Sequence, residues 1–314
     1  MNKNIKSILV RLFHSYYNIY IVLLIIFVVG IVSHPTFSSS RNLINIMRQI
    51  SVLLIVAVGQ NFVILTGGID LSVGSIISFI SVIIVGMLSI IGTPLSILIG
   101  LSVGFIVGAI NGFIVTRFKV TPFLATFCFY AVYQGLALFI DKGACRNIIE
   151  PNFLKIFSSY IFGMIPVSIF YSLIIFFIGV LILSRSTFGI KIYAVGGNEE
   201  AARLSGINSG LTKLLAYAIS GLLAAGASII LSATLQIGDA LIGIGYELDS
   251  IAAVCIGGTL LTGGEGSVVG PLGGALIMGV IKNLLNLHGV SAFVQQIVTG
   301  VIILVAVLIA TKKS

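Results

Sequence analysis

The chain has 314 residues, 58% hydrophobic and only 8% charged, with a mean hydropathy of +1.20 and a formal net charge of +8. Soluble domains carry roughly 25% charged residues, so this composition excludes a water-soluble protein and indicates a polytopic membrane chain. The positive balance fits the basic bias of cytoplasmic loops and needs no nucleic-acid partner.

A spanning helix needs about 20 apolar residues to cross about 30 Å of hydrocarbon. Ten runs qualify, near 18–33, 43–65, 71–91, 95–115, 122–140, 164–184, 213–235, 246–261, 267–286 and 292–310. The expected fold is an all-α polytopic membrane protein, a single transmembrane domain over 1–314, with abundant glycine (36 residues) for close helix packing. The eighth and ninth runs are short and Gly-rich, which points to a broken or re-entrant segment.

Lys3, Lys6 and Arg11 precede the first run as in a signal peptide, but the run ends in His34-Pro35-Thr36-Phe37 without a small-x-small cleavage pattern. An uncleaved first span is expected. With the N-terminus in the cytoplasm, Lys3, Lys6, Arg11, Arg117, Lys119, Arg185, Lys191, Arg203, Lys213, Lys312 and Lys313 fall inside. Arg41, Arg48, Lys142, Arg146, Lys155 and Lys282 fall outside. The bias favours both termini inside.

Between the second and third spans stands Thr66-Gly67-Gly68-Ile69-Asp70-Leu71-Ser72-Val73-Gly74. A similar string, Thr262-Gly263-Gly264-Glu265-Gly266-Ser267-Val268-Val269-Gly270, stands between the eighth and ninth. An internal transporter repeat and a chance likeness of Gly-rich turns both account for the match. The longest outer segment, about 141–163, carries Asp141, Lys142, Arg146, Glu150, Pro151 and Lys155; it is too short for a domain but long enough for a docking lip.

The polar stretch 185–213 interrupts this apolar background. Within it, Asn198 can cap a short helix whose first turn holds Glu199 and Glu200, whose last turn holds Arg203, and whose stop is Gly206. A capped helix there suits pushing against something outside the membrane; a solvated loop would carry polar filler without cap signals.

Polar groups at membrane depth are costly unless they face a cavity or a partner. Gln60, Asn61, Asn111, Tyr130 and Gln134 are the candidates for a translocation path, with Gln236, Asp239, Gln295 and Gln296 also near spans. Asp70 reads as an N-cap of the third span, and Glu247 and Asp249 read equally as caps or as ligands. No catalytic constellation appears. Cys128, Cys145 and Cys255 fit no metal spacing, His14, His34 and His288 lie near different span ends, and no G-x-x-x-x-G-K-[ST] loop exists. No cofactor or metal is implied. Amides, hydroxyls and aromatics without a string of buried carboxylates suit a neutral, hydroxyl-rich solute.

Three segments resemble the permease subunits of bacterial ATP-binding-cassette (ABC) importers for simple sugars: 65–75, the 196–208 loop, and Gly245 through Ala253. The likeness is nearest to ribose-transporting members and runs from about residue 40 to 310 in the family's order, Gly67, Gly68, Asp70, Gly74, Glu247, Asp249, Gly263 and Gly264 marking structural motif positions. Arg48 and Glu265 depart from the family pattern. The resemblance implies a dimer of permease copies on a cytoplasmic ATPase, fed by an extracytoplasmic sugar-binding protein, in the bacterial cytoplasmic membrane. It also implies that the 198–206 helix couples to the ATPase and that the cargo is ribose or a similar pentose or hexose. An autoinducer-2 importer permease and a self-sufficient secondary carrier or facilitator are the alternatives.

Overall fold

A computed structural model describes residues 19–311, the side chains of 307 and 309–311 excepted. Lys3, Lys6, Arg11, Lys312 and Lys313, on which the orientation reading leans, lie outside the described residues, as does His14.

The helices run in order as α1 (Ile19–Ser33), α2 (Ser40–Leu65), α3 (Val73–Ile91), α4 (Thr93–Arg117), α5 (Pro122–Asp141), α6 (Pro151–Phe157), α7 (Val167–Arg185), α8 (Thr187–Gly197), α9 (Glu199–Leu204), α10 (Ser209–Leu235), α11 (Tyr246–Ile256), α12 (Gly270–Leu287) and α13 (Ala292–Thr311). Strand among the described residues amounts to two antiparallel pairs of two residues each. In one, β1 (Arg146–Asn147) meets β4 (Ile237–Gly238); in the other, β2 (Tyr160–Ile161) meets β3 (Ile165–Pro166). The expected all-α polytopic class is what the structure has. Among the described residues, seven helices (α2, α3, α4, α5, α7, α10 and α12) are long and apolar enough to cross a membrane, with shorter apolar stretches at Ile19–Ser33 and Ala292–Ala306.

The eighth expected span departs most from the reading of ten full runs. Of 246–261 only Tyr246–Ile256 is helical. Eleven residues rise about 16 Å, half the hydrocarbon thickness, and Gly258 at φ +89° ends the run. The chain reaches α11 by descending beside α3. Gly238 lies on Val85, Asp239 N donates to Ser81 Oγ at 3.3 Å, and Gly243 N donates to Ser78 Oγ at 3.0 Å. Serines on α3 thus satisfy backbone groups that lipid could not.

The core is built around α10, against which α2, α3 and α4 pack. Gly104, Gly108 and Gly112 put one bare stripe of α4 against it. A Cβ on Gly108 would lie 2.3 Å from Tyr217 O, and one on Gly112 would lie 2.7 Å from Leu214 Cα. Only glycine allows that approach, and in lipid such packing replaces the missing hydrophobic drive between helices. The stretch Ser51–Leu65 of α2 is buried throughout, whereas α4, α5 and α7 show apolar faces outward.

Two ends of the bundle can be told apart. At one, the rings of His34 and His288 meet edge to face at 5.5 Å, although sequence places them at different spans. There Arg48 also stacks over Tyr160 (4.9 Å) and donates to its hydroxyl, which gives this charge a partner in the connection between α6 and α7. At the other end Leu65, Gly196 and Gly264 come together, as Gly264 N donates to Leu65 O at 3.0 Å. Lys282 does not stand in an outer loop: it lies within α12 and pairs with Asp249 of α11.

Candidate functional site

Two polar arrangements stand out, one at the end of the bundle and one inside it. The first is an elbow made by α8 and α9. Asn198 ends one helix and starts the next: its N–H donates to Ala194 O at 3.1 Å, and its Oδ1 accepts from Ala201 N at 2.9 Å. Its backbone (φ −158°, ψ 102°) is extended, so the two helices meet at a one-residue corner. At the far end Gly206 is left-handed (φ +83°), its N–H donating to Arg203 O and that of Ile207 donating to Ala202 O, both at 3.0 Å. That is the paired hydrogen-bond pattern of a Schellman stop. Asn208 then caps α10 through Leu211 N at 2.9 Å. Six residues are too few to hold a helix alone, so these caps define it.

Glu199 and Arg203 stand four residues apart on α9 but do not pair with each other. Arg203 instead holds Glu200, at 2.6 and 3.2 Å, and Glu199 pairs with Lys213 on α10. Partial burial pushes the Glu199 carboxyl up, but the hydrogen bond and charge of Lys213 outweigh this, with help from Ser209 and Lys119, and hold it below its ordinary value. Arg203 likewise lowers Glu200. Leu204 projects 78% exposed beside them, an apolar side chain on a charged, outward helix.

The second arrangement centres on Asp70, which is fully buried. Its Oδ1 accepts from Ser72 N (3.0 Å) and Ser72 Oγ (2.6 Å), and its Oδ2 accepts from Ser220 Oγ (3.2 Å). Asp70 therefore closes a turn ahead of α3 and does not cap it; the N-cap residue is Ser72, whose side chain caps nothing. Behind Ser72, Asn111 Nδ2 donates to Ser72 Oγ (2.7 Å) and Tyr133 OH donates to Asn111 Oδ1 (2.9 Å). One carboxylate thus ties α4, α5 and α10 to the break between α2 and α3. Ser220 is the twelfth residue of the 27-residue α10, about 17 Å from its start, so the network sits at membrane depth.

The path candidates divide. Gln60 is fully buried, and with its amide oriented to serve both groups it donates to Asp70 O and accepts from Asp70 N, each at 3.2 Å. Asn61 donates to Ser267 O (3.4 Å) and accepts from Thr259 Oγ1 (2.8 Å). Asn111 belongs to the Asp70 network. All three are enclosed by this chain. Tyr130 and Gln134 are only half-buried on α5, where Gln134 Nε2 donates to Ala240 O at 2.6 Å and Oε1 is buried with no hydrogen-bond partner. Glu247 accepts from Gly245 N with both oxygens (3.1 Å) at the start of α11, and a Cβ on Gly74 would strike its carboxylate at 2.0 Å. Asp249 is held by Lys282 and Thr299. Gly67 and Gly263 are both left-handed, at φ +78° and +85°, and Gly68 lies under the Tyr217 hydroxyl.

Sequence reasoning missed Ser72, Ser220, Tyr133 and Lys282. Hydroxyls are common on apolar helices, and nothing in their spacing marks which face Asp70. Among the described residues no group of His, Cys, Asp or Glu could hold a metal ion. The arrangement offers mechanical ties and polar contacts.

The family described as branched-chain amino acid transport system / permease component matches residues 42–307. The chain is 42% identical to the ribose import permease protein of Bacillus subtilis over 93% of its own length and 91% of that protein. It is 41% identical to that of Haemophilus influenzae over 94% of each chain. It is 34% identical to the L-arabinose transport system permease protein of Escherichia coli, over 95% of this chain and 90% of that one. No solved structure matches the chain significantly. The seven membrane-length helices agree with these relatives, and the chain belongs to this family as a multi-pass membrane permease subunit of an ABC importer, not itself an enzyme.

Proposed function

We propose that this chain carries a simple sugar, ribose or a similar pentose or hexose, across the bacterial cytoplasmic membrane, driven by ATP hydrolysis on a separate subunit. The observation that carries the reading is identity above 40% to two ribose import permeases over more than nine-tenths of the chain. The chain's partners are a cytoplasmic ABC ATPase and an extracytoplasmic substrate-binding protein, a reading supported by its membership of an ABC importer permease family. The α8–α9 elbow is the ATPase-facing element, with Asn198 and Gly206 fixing the helix and Glu199, Glu200 and Arg203 on it. Leu204 supplies an apolar anchor of the kind a partner's groove takes. The 141–163 segment is the lip on which the binding protein docks.

Two copies of the chain form the transporter, with α5 toward the path. Tyr130 and Gln134 face the sugar there, and Gln60, Asn61 and Asn111 hold the wall behind them. The whole chain works as one permease domain whose ten membrane segments include the half-length α11. Both termini lie inside. This is supported by α1 reaching His34 and α13 leaving from beside His288, at the end opposite the elbow. Expression with its own ATPase and binding protein, in a bacterial host lacking high-affinity ribose uptake, should restore growth on low ribose. Restoration by the permease alone would refute the ATP-driven reading.

A further inference from the structure

The two T-G-G strings remain unexplained by the roles above. They meet at one place, and the third party there is the elbow. A Cβ on Gly196, at the end of α8, would lie 1.9 Å from Leu65 O and 2.4 Å from Gly264 N. A Cβ on Gly264 would lie 2.4 Å from Gly197 Cα, and one on Gly263 would lie 2.5 Å from Gly67 N. Gly264 N donates to Leu65 O at 3.0 Å. Three main chains therefore touch with no side chain between them.

Each leads somewhere different. Leu65 and Gly67 open the loop that carries Asp70 into α3. Gly263 and Gly264 belong to the loop between α11 and α12. Gly196 and Gly197 pass through the Asn198 corner into α9. Side-chain contacts can absorb a small displacement by changing rotamer, but a backbone-to-backbone contact cannot, since packed interiors are stiff. A push on α9 reaches both loops undamped.

We propose that Gly196 and Gly264 are the positioning residues of transport, forming a glycine junction through which α9 drives the Asp70 loop and the half-helix α11 together. The proposal rests on α9 being the ATPase-facing element. It gives the paired strings a shared mechanical role, as the two receiving surfaces of one lever.

The test needs no knowledge of the sugar. In the purified permease–ATPase complex, with Cys128, Cys145 and Cys255 replaced, Leu248→Cys on α11 gives a reporter thiol, since Leu248 is 38% exposed. Its maleimide labelling rate is compared without nucleotide and with ATP plus vanadate. The parent should respond by about fivefold or more, and Gly196→Ala by less than about twofold, while both retain the ATPase. Gly197→Ala is the control, because a Cβ there meets nothing within 4 Å, and it should respond as the parent does. Should Gly196→Ala fail to fold, Gly67→Ala takes its place; its Cβ would lie 3.3 Å from Thr262 O, a backbone contact between the two strings that a small shift relieves. A reduced response there supports the junction. A parent-like response in the junction variant that folds, or no response in the parent, overturns it. Failure of the underlying reading shows elsewhere: breaking the α9 caps would then leave ATPase binding and the nucleotide response intact.

Discussion

Lys213, in the second turn of α10, donates to Glu199, the first residue of α9, at 2.5 Å. Helix α9 is thereby tied back to a span that also carries Ser220, the partner of Asp70. Lys213 holds the Glu199 carboxyl below its ordinary value against the opposing effect of burial. A carboxyl lowered on folding stabilises above its unfolded pKa, about 4.3, and loses that contribution as pH falls through the lower folded value. Because the Glu199 side chain is half exposed, the tie is worth at most about 1 kcal/mol. Lys213→Gln should lower the unfolding temperature slightly at pH 7, and the gap to wild type should close as the solution is acidified. A gap that widened in acid would contradict the assignment.

Breaking the α9 caps should disconnect the permease from its motor. Asn198→Ala removes the side-chain acceptor for Ala201 N, a loss of about 1 kcal/mol. Gly206→Val puts a β-branched residue at φ +83°, a strain of about 1 kcal/mol or more. The double variant should still insert in the membrane, while the amount of co-purifying ATPase and the sugar-stimulated hydrolysis both fall. Full retention of the ATPase would show the elbow to be an ordinary connection.

Glycine on α4 and glycine on α10 should respond oppositely to the same change. Gly108→Ala forces a methyl group to within 2.3 Å of Tyr217 O, and overpacking of this kind costs about 1–3 kcal/mol. Gly226→Ala meets nothing within 4 Å and gains helix propensity of about 1 kcal/mol. Thermal unfolding of the detergent-solubilised protein should show the first destabilised and the second unchanged or raised. Equal behaviour would refute the packing described here.

Much of the architecture was legible in the sequence because lipid imposes one requirement on every span: a long apolar run. The elbow was legible too, since Asn198 and Gly206 act on backbone within their own helix. The half-helix was harder to place. Gly257, Gly258 and the serines of α3 determine where α11 stops and how its approach is satisfied, and that depends on neighbours 158 and 165 residues away in sequence. Gln60 and Asn61 looked like path residues because an amide at membrane depth needs a partner. Their partners are Asp70's own backbone, Thr259 and Ser267, and no local pattern announces such long-range pairings. Lys282 reads as an outer residue in sequence for the same reason.

The Asp249–Lys282 pair supplies a further check on α11. The Asp249 side chain is 7% exposed, so Lys282→Met leaves a buried carboxylate without its cation, a loss of about 3–5 kcal/mol. Adding Asp249→Leu should recover most of that loss, because a pair of apolar residues removes the unpaired charge. Thermal unfolding of the two single variants and the double variant measures this, and strictly additive losses would exclude the pairing.

The central claim, that this chain moves a simple sugar only when an ATPase acts on it, is tested most directly by reconstitution. Proteoliposomes holding the permease and its ATPase, with ATP available to the ATPase and binding protein on the opposite face, should accumulate radiolabelled ribose or a related sugar against its gradient. Omitting the ATPase or the nucleotide should abolish accumulation. Sugar entry of equal rate through the permease alone would contradict the account.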